Sequence, residues 1–132
     1  MIHHIGYVTL IPNNILYLFK TLDHQLQMID TIVIDKWDCR CNLYRLKSSE
    51  TLIETIRPYS GPLFKWADKG THHIALTVSS IEKKCNFLKE KGIRLVSDEP
   101  VTGVAGLRVN FIHPSFCGVL LEIVEVPKDT KK

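Results

Sequence analysis

Histidine and glutamate residues recur in two matching parts of this chain. Residues 3–6 read His-His-Ile-Gly and residues 72–75 read His-His-Ile-Ala, an offset of 69 positions (72 minus 3). Each segment is followed by an apolar strand-like run with a single carboxylate near its centre, Glu54 in the first part and Glu122 in the second. Imidazole and carboxylate groups are the ligands of many divalent transition metals. The repeat predicts one metal site shared between two halves of the molecule.

The alternation of side chains along a strand selects one histidine from each pair. Neighbouring residues point to opposite faces, so both members of a pair cannot face the same ligand. His73 shares a face with Ala75 and Thr77, whose small side chains leave room for a ligand. The repeat makes His4, which shares its face with Gly6, the counterpart of His73. We therefore expect His4 and His73 to face the site.

The two carboxylates strengthen this prediction. Glu54 and Glu122 are each surrounded by Leu, Ile or Val, where an uncompensated charge costs several kcal/mol to bury. A divalent cation would compensate both, whereas Glu125, beside the C-terminus, is expected on a solvent-facing edge. The predicted ligand set has two imidazoles and two carboxylates and suits Co, Ni, Mn, Fe or Zn, among which the sequence does not select.

The periodicity of apolar residues predicts the same βαβββ order twice, so the expected fold is α+β, with two modules pairing curved mixed sheets around a metal-centred groove. One domain of residues 1–132 is expected, with module one at about 1–58, a turn-rich linker at about 59–71, module two at about 72–127 and a polar tail at 128–132. The second helix is predicted to begin with a capping box of Ser79 and Glu82 and to end near Gly92. A strand is expected near 93–97 and a surface loop over 98–106.

Composition indicates an ordinary globular protein. The chain has 132 residues, 45% hydrophobic and 23% charged, with a formal net charge of +3 that does not argue for nucleic acid. No apolar run approaches the ~20 residues of a membrane span. The four cysteines lack zinc-knuckle spacing; Cys39 and Cys41 share a strand face and are expected to pack as reduced thiols. We expect a cytoplasmic protein, and the edge strands of two open sheets favour a homodimer.

Five segments resemble, in order, the vicinal oxygen chelate superfamily, also called the glyoxalase and dioxygenase fold, and within it the methylmalonyl-CoA epimerases. The resemblance covers nearly the whole chain and implies that the metal ligands are the four residues reached above. It is carried by residues 3–8, 53–63, 70–75, 108–114 and 118–122.

The resemblance also implies a reaction. In the epimerases a metal chelates the two carbonyl oxygens of a malonyl-type thioester, and a carboxylate on each side of the α-carbon exchanges its proton. Glu122 would be both a ligand and one of these proton-transfer groups. The second group aligns with Asn42, but an amide cannot act as a general base. Asp38 and Glu50 are the alternatives that the sequence leaves open.

The expected function is accordingly a metal-dependent isomerase that removes a proton α to an acyl thioester or related 1,3-dicarbonyl, with a small molecule such as an acyl-CoA as its partner. Two alternatives stay open. One is a glyoxalase-I-like lyase acting on a glutathione hemithioacetal, which needs one effective base. The other is a non-enzymatic small-molecule-binding or resistance protein of the same fold, against which the burial of Glu54 and Glu122 argues.

Overall fold

The computed structural model describes residues 1–126 apart from positions 23, 48 and 70, so the predicted polar tail at 128–132 lies outside the described residues. Two helices and eight strands follow in the order βαβββ twice. The first set comprises β1 (Ile2–Val8), α1 (Pro12–Thr21), β2 (Leu26–Ile34), β3 (Cys39–Leu46) and β4 (Leu52–Pro58). The second comprises β5 (Thr71–Val78), α2 (Ile81–Glu90), β6 (Val101–Thr102), β7 (Arg108–Ile112) and β8 (Leu121–Glu125).

All eight strands form one mixed sheet in the order β2-β3-β4-β1-β5-β8-β7-β6. In each set the first strand runs parallel to the last, as β1 does to β4 and β5 to β8. The two sets join where β1 pairs antiparallel with β5 at the middle of the sheet. The predicted α+β class with two βαβββ sets is confirmed.

The sheet curls until its two ends approach each other. The backbone N–H of Ala105, in a 3₁₀ turn between β6 and β7, donates to the Asp30 carboxylate on edge strand β2 over 2.8 Å. Ala105 adopts a left-handed conformation with φ of 61°, which positions that N–H. The concave face of the sheet therefore surrounds a groove, with the helices on the convex face.

The second helix is anchored and capped more firmly than the first. Ile81 and Cys85 pack against Ile123 of the sheet, whereas α1 contains no fully buried residue. The cap of α2 is Ser80, whose side chain accepts from the backbone of Lys83, so the predicted Ser79–Glu82 capping box is displaced by one residue. Gly92 follows the helix with φ of 76°, as predicted for a C-terminal glycine.

Glu125 does not lie free on a solvent-facing edge, contrary to the sequence-based expectation. It is half-buried, and its Oε1 accepts from the first backbone N–H of α2, on Ile81, over 2.9 Å. That N–H has no partner within the helix, so the carboxylate satisfies an otherwise unpaired donor.

The segment between α2 and β7 differs from the prediction. Instead of a strand at 93–97, a single bridge joins Leu95 to Ile112, and the short strand β6 lies within the predicted loop. The side chain of Asn110 explains the interruption, because it accepts from the Ser97 N–H and donates to the Ser97 carbonyl. These side-chain bonds replace a backbone ladder. Neither helix among the described residues is long and apolar enough to cross a membrane.

Candidate metal centre

Four adjacent strands each direct one predicted ligand into the groove. These residues are Glu54 on β4, His4 on β1, His73 on β5 and Glu122 on β8, and their exposed fractions are 6%, 2%, 3% and 5%. The strand register explains the convergence. Gly6 lies between Glu54 and His73 in one row across the sheet, and Ala75 lies between His4 and Glu122 in the other.

The donor atoms meet at one buried point. His4 Nε2 lies 3.0 Å from His73 Nε2, and Glu122 Oε1 lies 3.0 Å from the former and 3.1 Å from the latter. Glu54 Oε1 is 3.5 Å from His4 Nε2 and 3.2 Å from His73 Nε2. Neighbouring donors about 2.1 Å from one ion are themselves about 3 Å apart. The donor atoms of His4, His73 and Glu122 lie within 4.8 Å of one another and fit a single divalent cation, whereas Glu54 lies beside both imidazoles but outside that mutual group.

The carboxylate of Glu122 supports the same interpretation. Its Oε1 is fully buried and has no hydrogen-bond partner of acceptable geometry among the described residues, although both Nε2 atoms are close. Burial alone would raise the pKa of Glu122, but the imidazoles of His4 and His73 outweigh it and hold that pKa at about 2. The Glu122 carboxylate is therefore ionised at neutral pH, and its buried Oε1 is free to accept a cation.

The other histidine of each His-His pair contacts its inner neighbour, a role that was not expected from the sequence. His3 Nδ1 lies 2.8 Å from His4 Nδ1, and His72 Nδ1 lies 2.8 Å from His73 Nδ1. Burial, aided by the adjacent His73, lowers the pKa of His72 to about 4, and burial and His4 lower that of His3. Each neutral outer ring can share one hydrogen at Nδ1, which orients the inner ring and leaves its Nε2 facing the site.

Gly6 makes room for His73. A Cβ atom at position 6 would lie 2.2 Å from His73 Cε1 and 2.6 Å from its Nε2, far inside van der Waals contact. The imidazole therefore lies directly over the backbone of β1. The small residues of the repeat were expected to leave room for a ligand, but at Gly6 the His73 ring takes up that space.

A cavity of about 170 Å³ is lined by three of the four candidate ligands, Glu54, His73 and Glu122. Its walls are largely apolar, and its charged residues other than the candidate ligands include Lys36, at the mouth. Trp37 and His72 also line it, and the apolar wall residues include Ile34, Ile56, Leu63, Val101, Val109 and Phe111. Such a space excludes water and strengthens electrostatic interactions within it.

None of the three residues considered for the second proton-transfer group lines this cavity. Asn42 lies on the opposite face of β3, where it accepts from Thr31 and donates to Tyr44. Asp38 lies in a left-handed turn and accepts from Ser60, and Glu50 is exposed before β4.

The wall of β3 instead carries two thiols, Cys39 and Cys41, both buried. Neighbouring residues of a strand point to opposite faces. Cys41 therefore faces the groove, whereas Asn42, the next residue, faces away from it. Burial, reinforced by the Glu54 carboxylate, raises the pKa of Cys41, and burial likewise raises that of Cys39. Both are therefore protonated thiols at neutral pH.

Comparisons with known proteins agree with this fold. A family model described as the glyoxalase/bleomycin resistance protein/dioxygenase superfamily matches residues 3–111. Mitochondrial methylmalonyl-CoA epimerase of Bos taurus is 43% identical over 67 residues, which make up 50% of this chain and 38% of that protein. The match thus spans well under half of that relative's length.

Two solved structures resemble the whole chain. Methylmalonyl-CoA epimerase of Mycobacterium tuberculosis has a TM-score of 0.84 at 27% identity, covering 97% of this chain and 88% of that one. A Streptomyces coelicolor methylmalonyl-CoA epimerase, solved in complex with 2-nitronate-propionyl-CoA, has a TM-score of 0.81 at 25% identity, covering 95% and 93%. Because the family model matches residues 3–111, which is more than half of this chain, the chain belongs to the glyoxalase/bleomycin resistance protein/dioxygenase superfamily.

Proposed function

We propose that this protein is a divalent-metal-dependent isomerase of the methylmalonyl-CoA epimerase type. The observation that carries the proposal is the convergence of two imidazoles and two carboxylates, one from each of four adjacent strands, at the bottom of an apolar cavity. The similarity to methylmalonyl-CoA epimerases supports the choice of reaction and of an acyl-CoA as substrate.

The metal ligands in this proposal are His4, Glu54, His73 and Glu122. A divalent cation bound there supplies Lewis acidity for the negative charge that develops on carbonyl oxygens when an α-proton leaves. Glu122 is also the catalytic residue, because its ionised and buried carboxylate accepts the α-proton. His3 and His72 orient the inner imidazoles through their Nδ1 contacts.

The cavity suits a short acyl group. Apolar side chains from Ile56 and Leu63 on one wall to Val109 and Phe111 on the other would surround the acyl carbons and keep water from the reacting carbon. Lys36 at the mouth would attract the anionic part of the substrate. The wider proposal is one domain whose modules span about 1–58 and 72–127, forming a cytoplasmic homodimer.

A glyoxalase-I-like lyase is the second candidate. Among the described residues that line the cavity, carboxylates occur at Glu54 and Glu122, both within the candidate ligand set. An isomerisation through one base requires no further carboxylate, which is the observation that favours a hemithioacetal substrate.

Metal content and α-proton exchange test the proposal directly. Purified protein should hold about one divalent ion per chain, and in D₂O it should exchange the α-proton of methylmalonyl-CoA, followed by NMR, with little turnover of methylglyoxal plus glutathione. Glu50→Gln, which removes an exposed carboxylate outside the cavity, is the matched control and should behave as the unaltered protein.

The opposite pattern, turnover of the hemithioacetal without exchange on the thioester, would assign the lyase activity instead. If the purified protein binds no divalent metal and performs neither reaction after metal is supplied, both proposed enzyme activities are wrong.

A further inference from the structure

Strand β3, next to β4, has two cysteine side chains that have no counterpart in the internal repeat. β3 pairs with β4, and Leu43 lies directly opposite Glu54. Because side chains alternate, Cys41 and Cys39 follow Leu43 on the same groove-facing side. Both thiols line the cavity that also contains Glu122.

The other half of the molecule has no thiol at the matching position. Phe111 on β7 lies opposite Glu122 as Leu43 lies opposite Glu54, so Val109 is the counterpart of Cys41. Glu122 and Cys41 thus lie on strands separated by β4, β1 and β5. Cys41 on β3 and Glu122 on β8 nevertheless line the same cavity.

Few other lining residues can exchange a proton. Lys36 is exposed at the mouth, and His72 is engaged through Nδ1 with His73. Cys39 lies one step farther along β3, opposite Pro58 at the end of β4. Cys41 lies opposite Ile56, one step from the row that contains Glu54.

We propose that Cys41 is the second proton-transfer residue and acts on the face of the substrate α-carbon opposite Glu122. This role rests on the proposed epimerase function. The Glu122 carboxylate takes the α-proton, and the C–H electron pair passes into the enolate. Cys41 then gives its S–H proton to the other face of the same carbon, which leaves a thiolate and a protonated Glu122. Proton exchange with solvent returns both groups to their starting states.

Stereochemically resolved exchange distinguishes this role from a structural one. Each C2 epimer of methylmalonyl-CoA is incubated in D₂O with the metal-loaded unaltered protein, Cys41→Ala, Cys41→Ser or the control Cys117→Ala, which removes an exposed thiol outside the cavity. We expect the Cys41 variants to lose epimerisation by at least about 100-fold, the lower end of the contribution of a general acid or base. They should still exchange the α-proton of one epimer, without inversion, through Glu122.

The control should epimerise at close to the unaltered rate, because the exposed Cys117 thiol does not line the cavity. Thermal unfolding and metal content of each variant verify that the site is intact. If folded Cys41→Ala epimerises at the unaltered rate, or Cys117→Ala loses as much activity, the assignment of Cys41 is overturned while the epimerase function stands. Absence of exchange on both epimers by the unaltered metal-loaded protein would overturn the function, and the role of Cys41 with it.

Discussion

The two halves of this molecule match at the candidate ligands and differ in the residues beside them. One row across the sheet contains Leu43, Glu54, Gly6 and His73, and the other contains Phe111, Glu122, Ala75 and His4. Both rows deliver one carboxylate and one imidazole to the same point. A two-fold arrangement of donors suits one cation, whereas inversion at a carbon requires a proton acceptor on one face and a proton donor on the other.

One difference between the halves concerns the proposed chemistry, and another concerns packing around the candidate ligands. The wall of β3 presents Cys41 where β7 presents Val109, which breaks the symmetry at the proposed substrate position. Gly6 and Ala75 differ for a steric reason, since a Cβ is excluded at position 6 by the His73 ring, whereas the Ala75 Cβ packs in the core with Val109 and Val124.

The strongest test of the matching donors removes one carboxylate charge from either row. Glu122→Gln should lower α-proton exchange by at least about 100-fold even when metal is saturating, because the proposed base is lost together with a ligand. Glu54→Gln should weaken metal binding, but exchange should recover as metal is added. Metal titrations followed by calorimetry, with exchange measured at each metal concentration, compare the two. Equal recovery of both variants would contradict a separate proton-transfer role for Glu122.

A smaller effect is expected from substitutions at Gly6 and Ala75, which lie between the carboxylate and the imidazole of each row. Gly6→Ala should push the His73 ring from its place, lowering the affinity for Co²⁺ by about 10–100-fold, as when ligand orientation is disturbed. Overpacking should also reduce the free energy of unfolding by about 1–3 kcal/mol.

The reciprocal change, Ala75→Gly, is the matched control. It removes a methyl group without creating a clash, so Co²⁺ affinity should change little while stability falls by about 0.5–1 kcal/mol. Calorimetry with Co²⁺ and urea unfolding of the metal-free protein measure the two quantities. Unaltered Co²⁺ binding by Gly6→Ala would show that His73 does not depend on this space.

Much of this arrangement was predictable because strand alternation and an internal repeat act together. The repeat placed His4 beside Gly6 and His73 beside Ala75, and strand parity then separated each inner histidine from its outer neighbour. The structure brings those side chains and both carboxylates to one point. What could be inferred was which residues share a face, since that depends only on a period of two.

The rest depended on contacts between distant parts of the chain. Asn42 does not face the groove, because it lies on the side of β3 opposite Cys41 and Leu43, and the sequence does not show which side of a strand faces the groove. The predicted strand at 93–97 failed because the Asn110 side chain bonds the backbone of Ser97. The contact of Asp30 with Ala105 joins residues 75 positions apart, and no local sequence pattern predicts it.

The smallest expected effect concerns the helices, which differ between the halves as the walls of the groove do. Ser80 caps α2, whereas Ile11 precedes α1 without a side-chain cap. Ser80→Ala should reduce the free energy of unfolding by about 1 kcal/mol, since one backbone N–H of the first turn loses its acceptor. Ser79→Ala should have almost no effect, because the Ser80 side chain is the acceptor. Urea unfolding of both variants measures the two changes in the free energy of unfolding, and a larger loss in Ser79→Ala would restore the capping box predicted from the sequence.

Ile11→Ser should stabilise α1, because it supplies an acceptor that this helix lacks and exposes less apolar surface.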